Sequence, residues 1–580
     1  MPDQRYRWRT KQLREQIAVV DGKKAPSILL KNATYLNQYL KKWITSNIWI
    51  YDNRIIYVGN ALPENTSKTE IVDCENLFVV PGYIEPHAHP FQLYNPHTFA
   101  QYASQRGTTT IINDNLVFAL HLSKEKAFSL MDELKDVPAS LYWWCRYDAQ
   151  SEIEGENQIF SPENLKDWLE HDLVLQGGEL TSWPKALDGD DFFIHWMQET
   201  KRLRKPIEGH FPGASEKTLT KMKLLGTDAD HESITGEDVL VRLTQGYTTA
   251  LRHSSIRPDL PKLLDELKEL GVDHYDRLIY TTDGSPPTFY KDGVIGPLIK
   301  IALEKGVPPI DAYNMASYNV ARHYDIEHLH GVIGPGRIAN LNFLEDINNP
   351  KPVSVMAKGK WIRRDGKNIN YPTEFSWDKF GFKPLELNWE LTMDDMQFSM
   401  PLGMEMVNSV ITKPYSLGID VSVDELSFDH DESFLMLVDR NGRWRINTII
   451  KGFANKLHGF ATSYSNTGDF ILIGKSKRDM LTAFSRMKEI GGGIVLVEND
   501  TVIKEIELPL AGVMADKGME DLIKDELELL KLLQERGYHF VDPVYTLLFL
   551  SSTHLPYVRI TPQGIFDVMK KVVLFPSIMR

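Results

Sequence analysis

Residues 81–89 read PGYIEPHAH, an apolar run that follows a Pro-Gly break and ends on His87-Ala88-His89. On a strand, side chains at i and i+2 point to the same side, so both imidazoles can face one ion. Imidazole nitrogen is among the commonest metal ligands. His-x-His alone is weak, because such pairs also occur on surface loops. At the end of a first barrel strand it says where to look next, since barrel sites gather at the C-terminal ends of strands.

Seven more strand-like runs follow within about 250 residues, the usual span of a (β/α)8 barrel. They are TTTIINDN (108–115), ASLYWWCRYD (139–148), DLVLQGGEL (172–180), PIEGHF (206–211), TDADHES (227–233), TTALRHS (248–254) and RLIYTTDGS (277–285). Helical text lies between them, as in SPENLKDWLEH (161–171) and RPDLPKLLDELKELG (257–271). Alternating strand and helix predicts a parallel sheet. Four of the later runs carry further ligand-type residues at their ends: Glu179, His210, His231 and Asp283. Singly, each is an ordinary loop residue. Together with the first pair they mark strands one, four, five, six and eight. Nitrogen and carboxylate oxygen without thiolate suit zinc, manganese, iron or cobalt. Six such side chains exceed the needs of one tetrahedral ion, so two divalent ions are expected.

The flanks read differently. SILLKNATYLN (27–37), NIWIYDNRIIYVG (47–59) and EIVDCENLFVVPG (70–82) are short strands broken by turns, and residues 331–362 return to the same pattern. The expected architecture is α/β. A metal-dependent (β/α)8 barrel over 81–330 is inserted into a small β-sandwich domain made of 1–80 plus 331–385. A C-terminal α/β domain over 386–580 follows, with a Gly491-Gly492-Gly493 turn and a long helix at 519–537. Residues 5–20 are expected to be helical.

The chain has 580 residues and a formal net charge of −14, which disfavours a nucleic-acid partner. No stretch approaches the roughly 20 apolar residues of a membrane span. The N-terminal MPDQRYRWRTKQLREQ lacks the apolar core of a secretory signal. Two cysteines, Cys74 and Cys145, cannot form a disulfide framework. The expectation is a cytoplasmic protein with a small-molecule substrate and neither a nucleic-acid nor a membrane partner. A homo-oligomer is left open.

Taken in order, these residues resemble the amidohydrolase superfamily and, within it, the adenine deaminase family. The resemblance runs from ILLKNATYLN to the C-terminus. PGYIEPHAH, GGELTSWP, EGHFPG, DADHES, LRHSS, YTTD and GVIGPGRIANLNFLED carry it, then GGGIVLVEND, LPLAGVM and RITPQGIFDV. It implies that His87 and His89 bind a first metal, His210 and His231 a second, and that Glu179 bridges them. Asp283 would contact metal and move protons. Manganese or iron is the implied metal, with zinc also possible for this donor set. The implied reaction is hydrolytic deamination of adenine, or a related amino-heterocycle, to the oxo compound and ammonia by metal-activated hydroxide. Glu232 would bond the substrate or orient a neighbour. Arg252 and His253 would bind substrate, and Arg252 could instead fix a carboxylate inside the barrel.

The chain also departs from that family's pattern. Pro90 stands where a Glu is usual, and Asp114-Asn115-Leu116-Val117 replaces Asp-Pro-His-Glu. Gly284 replaces a second Asp, and Arg252-His253-Ser254-Ser255 replaces Arg-Glu-Gly-Ser. Ser463-Tyr464-Ser465-Asn466-Thr467 replaces His-Asp-Ser-His-Asn. The metal residues are kept and their polar surroundings change, so adenine is expected to be a poorer substrate than for a typical member. Two alternatives stand beside this: hydrolysis of a cyclic amide or ureide, and a metal-binding homologue without catalysis.

Overall fold

The computed structural model describes residues 9–369, 371–372 and 374–580. All eight expected barrel runs contain strands: β1 (Tyr83–Ala88), β2 (Thr108–Asp114), β3 (Ser140–Cys145), β4 (Val174–Leu180), β5 (Ile207–Gly209), β6 (Ala229–Asp230), β7 (Thr248–Arg252) and β8 (Leu278–Thr281). Each pairs in parallel with the next. Their residues are buried along the whole length. Helices cover the outer face and side chains fill the inner one, which is why the runs are nearly continuous in apolar residues.

A side chain seals the seam between β8 and β1. Glu85 accepts from Thr281 Oγ1 at 2.9 Å, from Thr282 Oγ1 at 2.7 Å and from the Thr282 N–H at 3.1 Å. The His87 N–H adds a fourth bond at 3.0 Å. Burial pushes the Glu85 carboxyl up to about 7. Four donors leave its oxygens satisfied, as buried polar groups require.

The flanking strands share one nine-stranded sheet. Leu341–Leu344, from after the barrel, pairs antiparallel with Phe78–Pro81, from just before it. One apolar cluster draws Leu30, Ile48 and Val79 from the first flank and Leu341, Phe343 and Met356 from the second. Tyr51 pairs with Arg54 across the Asp52-Asn53 turn, and Asp52 has φ 54°, a left-handed conformation that Asp tolerates. The described part of the expected N-terminal helix is Thr10–Val20, and residues 5–8 lie outside the described residues.

After β2 comes the short helix α1 (Leu116–His121). Residues 402–579 supply a second nine-stranded sheet and a three-stranded one. This segment also carries α2 (Met519–Glu535) and α3 (Pro543–Phe549). Asp542 caps α3 by accepting the Tyr545 N–H at 2.9 Å, and Pro543 fits its first turn. The C-terminal segment roofs the barrel's C-terminal face. Asn95 Nδ2 donates to the Ala515 carbonyl at 2.8 Å, the Ala515 N–H to the Leu93 carbonyl at 2.7 Å, and Tyr545 OH to the Asp283 carbonyl at 2.8 Å. Among the described residues, no helix is long and apolar enough to cross a membrane.

Candidate metal centre

Six of the sequence-predicted residues converge under this roof. His87 lies on β1 and His89 just beyond it; Glu179 is near the end of β4. β5 and β6 have only three and two residues, so the chain leaves the sheet early and presents His210 and His231. Asp283 follows β8. Three groups of possible ligands form among them: His87, His89 and Glu179; His87, His231 and Asp283; Glu179, His210 and His231.

Glu179 faces both sides. Its Oε2 is 3.8 Å from His87 Nε2 and 3.9 Å from His89 Nε2. Its Oε1 is 2.7 Å from His210 Nδ1 and 3.5 Å from His231 Nε2. Asp283 Oδ1 is 3.4 Å from His87 Nε2 and 3.2 Å from His89 Nε2. The His87 ring stacks on Trp144 at 4.5 Å between centroids. Both its ring nitrogens are buried without a hydrogen bond. Burial, then the neighbouring His231, holds His87 down at about 4, so its ring is a neutral donor of lone pairs. An orphaned imidazole beside two buried carboxylates is costly unless a further partner is supplied. A divalent cation is that partner, and this nitrogen and oxygen set suits one.

Outer partners aim the candidate ligands, as is usual at metal sites. His89 Nδ1 bonds Asp114 Oδ2 at 2.8 Å, and His231 Nδ1 bonds Glu208 Oε1 at 3.0 Å. Arg146 Nη2 donates to Asp114 Oδ2 at 2.6 Å and to Glu179 Oε2 at 2.8 Å. Burial works against the Glu179 carboxylate, but Arg146 and the histidines hold it well below the usual range. Asp283 is likewise opposed by burial and held low by Arg252, then by His87 and His89.

The predicted Glu232 and Arg252 also reach the site. Arg252 Nη1 meets Glu232 Oε1 at 2.6 Å, and its Nη2 meets Asp283 Oδ2 at 2.6 Å. Arg257 Nη1 pairs with Glu232 Oε2. Against burial, His210, Arg252 and Arg257 hold Glu232 down at about 2. Its Oε1 stands 3.6 Å from His210 Nδ1 and 3.5 Å from His231 Nε2. His253 is not brought in. Successive strand side chains alternate, so with Arg252 inward His253 turns away and its ring lies 5.8 Å from Phe289.

Sequence reasoning missed several participants. Arg146 and Asp114 also stand at strand ends, and the rule that selects ligand-type residues there would take in Asp114. A guanidinium is not a metal ligand, so that rule does not select Arg146. Arg257, Tyr545 and His554 line the cavity as well; the His554 ring stands 5.5 Å from that of His210. The last two come from the C-terminal segment, and no local signal marks them.

Gly284, one of the departures, has a packing reason. It has φ 62°, and a Cβ built on it would lie 2.5 Å from His89 Cβ. Gly284→Ala is therefore expected to push His89 out of line. A shift of about 1 Å costs on the order of 10²-fold in rate, and metal retention should fall with it. Activity and metal content per chain check this; a fully loaded, fully active variant would show that His89 has room to spare.

Residues 78–362 match the model of the Amidohydrolase family, and residues 409–572 match that of the Adenine deaminase C-terminal domain. The chain is 58% identical to "Putative adenine deaminase BH0637" of Halalkalibacterium halodurans, over 100% of both chains. It is 56% identical to "Putative adenine deaminase YerA" of Bacillus subtilis, again over 100% of both. Among solved structures it is similar to a beta-aspartyl dipeptidase from Fervidobacterium islandicum AW-1, at 18% identity and a TM-score of 0.46, covering 60% of this chain and 99% of that one.

Proposed function

The chain belongs to the amidohydrolase family, in its adenine deaminase branch, and we propose that it hydrolyses adenine or a related amino-heterocycle, releasing ammonia. The observation that carries this reading is Glu179, set between two imidazole pairs, with Asp283 and Glu232 lining the same cavity. His87, His89 and Asp283 would hold one divalent ion, His210 and His231 a second, and Glu179 both. Manganese or iron is the proposed metal, and zinc also suits the donors. Bound there, a divalent cation brings the acidity of water to a pKa of about 7.

The chain's own groups do the rest. Asp283 takes a proton from the attacking water and passes it to the exocyclic nitrogen. The water oxygen becomes the product carbonyl, its second proton moves to the ring nitrogen beside that carbon, the C–N bond breaks and the nitrogen leaves as ammonia. Glu232, held charged, can only accept, so it receives an N–H of the ring or its amino group. Arg252 is a positioning residue: one guanidinium ties the Glu232 acceptor to the Asp283 proton carrier. Phe91, Ile256, Leu548 and Phe549 give the cavity apolar walls that suit a planar ring. The chain would act in purine metabolism, in the cytoplasm. Cys74 and Cys145, free and buried, suit a reducing compartment.

Manganese-reconstituted protein should hold close to two ions per chain and release ammonia from adenine or another aminated heterocycle. Glu179→Gln should lose at least one ion. One tightly held ion, indifferent to that change, would mean a mononuclear site. Full metal with no ammonia from a broad panel would overturn the deaminase reading.

A further inference from the structure

A second cavity adjoins the metal centre. Its volume is about 310 Å³, against about 140 Å³ for the cavity at the ligands, and Phe91, Asn466 and Leu548 wall both. Pockets that take small molecules usually run from about 300 to 1,000 Å³, so the inner cavity alone is small for the class. The outer cavity is bounded by α1, through Leu116, Leu120 and His121, and by residues 439–444 and 464–469. Part of this lining is Tyr464–Thr467, within the segment where the chain departs from its family's pattern.

Most charges in the outer cavity satisfy one another. Arg443 bonds Asp439 Oδ2 at 2.8 Å and Glu154 Oε2 at 2.7 Å. Asp469 accepts the Arg440 backbone N–H at 3.2 Å and lies close enough to interact with the Arg440 charge. Two donors remain. The Arg440 guanidinium has no carboxylate within 4.0 Å among the described residues; it meets only the Ala511 carbonyl at 3.2 Å and His121 Nδ1 at 3.4 Å. Asn466, on the shared wall, is 8% exposed, and its buried Nδ2 has no hydrogen-bond partner. A buried amide nitrogen without an acceptor is a rare and unfavourable state.

We propose that the outer cavity is a subsite of the active site, taking an oxyanion-bearing substituent of the amino-heterocycle, with Arg440 binding the oxyanion and Asn466 bonding the ligand at the junction. The planar guanidinium recognises carboxylate and phosphate alike. The amino-bearing carbon has to face the metal ligands, so the group crossing the shared wall sits on the ring's remote edge. This rests on the deaminase reading of the adjoining centre.

The test uses the metal-loaded full chain and adenines alkylated at N9, remote from the amino group, with 2-carboxyethyl, 2-phosphonoethyl or neutral propyl. Their 6-oxo product forms report affinity by calorimetry without turnover. The carboxylate or the phosphonate form should bind about ten-fold tighter than propyl, the scale of one charge-assisted hydrogen bond, and the tighter of the two identifies the oxyanion. Arg440→Met should bring that ratio to within about two-fold, with Arg440→Gln in its place if the first variant does not fold. Propyl binding as tightly as both oxyanions, an advantage that survives loss of Arg440, or no binding by any of the three would overturn the subsite. Ammonia release from the 6-amino forms tests the reaction separately: an oxyanion preference without ammonia retires the deaminase reading alone.

Discussion

Asp283→Asn is expected to lower kcat by about 10² to 10⁴, the usual scale for losing a general base, while fold and most bound metal persist. Several features make this substitution clean. Asp283 has φ 49°, a left-handed conformation that Asn adopts readily. Tyr545 OH grips the backbone at and just after the change, donating to the Asp283 carbonyl at 2.8 Å and to the Gly284 carbonyl at 3.1 Å. Arg252 can still donate to an amide oxygen where it now meets Oδ2. What the amide cannot do is take the proton of the attacking water. Loss of charge beside His87 and His89 weakens the metal contact, so metal per chain has to be measured with kcat. Near-wild-type turnover at full metal would remove Asp283 from the proton path.

The candidate ligands are legible because each ends a run whose apolar character comes from burial on both faces. That rule finds His87, Glu179, His210, His231 and Asp283 without knowing how the strands pair. It overstates β5 and β6, since PIEGHF and TDADHES look like ordinary strands yet hold three and two residues of ladder. It says less about what holds the ligands in place. The Arg146–Asp114 contact depends on register, with Asp114 opposite Trp144 across β2 and β3. Glu208 could have been read, because it shares a strand face with His210. His253 could have been set aside by the same alternation that points Arg252 inward. Tyr545 and His554 reach the site only because the C-terminal segment folds back over the barrel, and Asp542–Ser255 at 2.6 Å is part of that closure.

Arg146→Met should be the most destabilising single change at the site, by about 3–5 kcal/mol, the usual result of removing one partner of a buried ion pair. Arg146 is fully buried and is the cation shared by Asp114 and Glu179. Burial works against the Asp114 carboxylate, and Arg146 first and then His89 hold it down at about 2. Met fills much of the volume but leaves two buried negative charges facing each other near the cluster. For a unit of barrel size that penalty lowers the melting midpoint on the order of 10 °C. Lysine does not restore the site, because a single ammonium cannot reproduce a planar fork that spans two carboxylates. Asp114→Asn in the Met background removes one stranded charge and should recover part of the midpoint, whereas Asp114→Asn alone should destabilise. That reversal of sign separates an electrostatic role from packing. If Arg146→Met melts with wild type, or the second change only adds to the loss, Arg146 does not hold the two carboxylates through its charge.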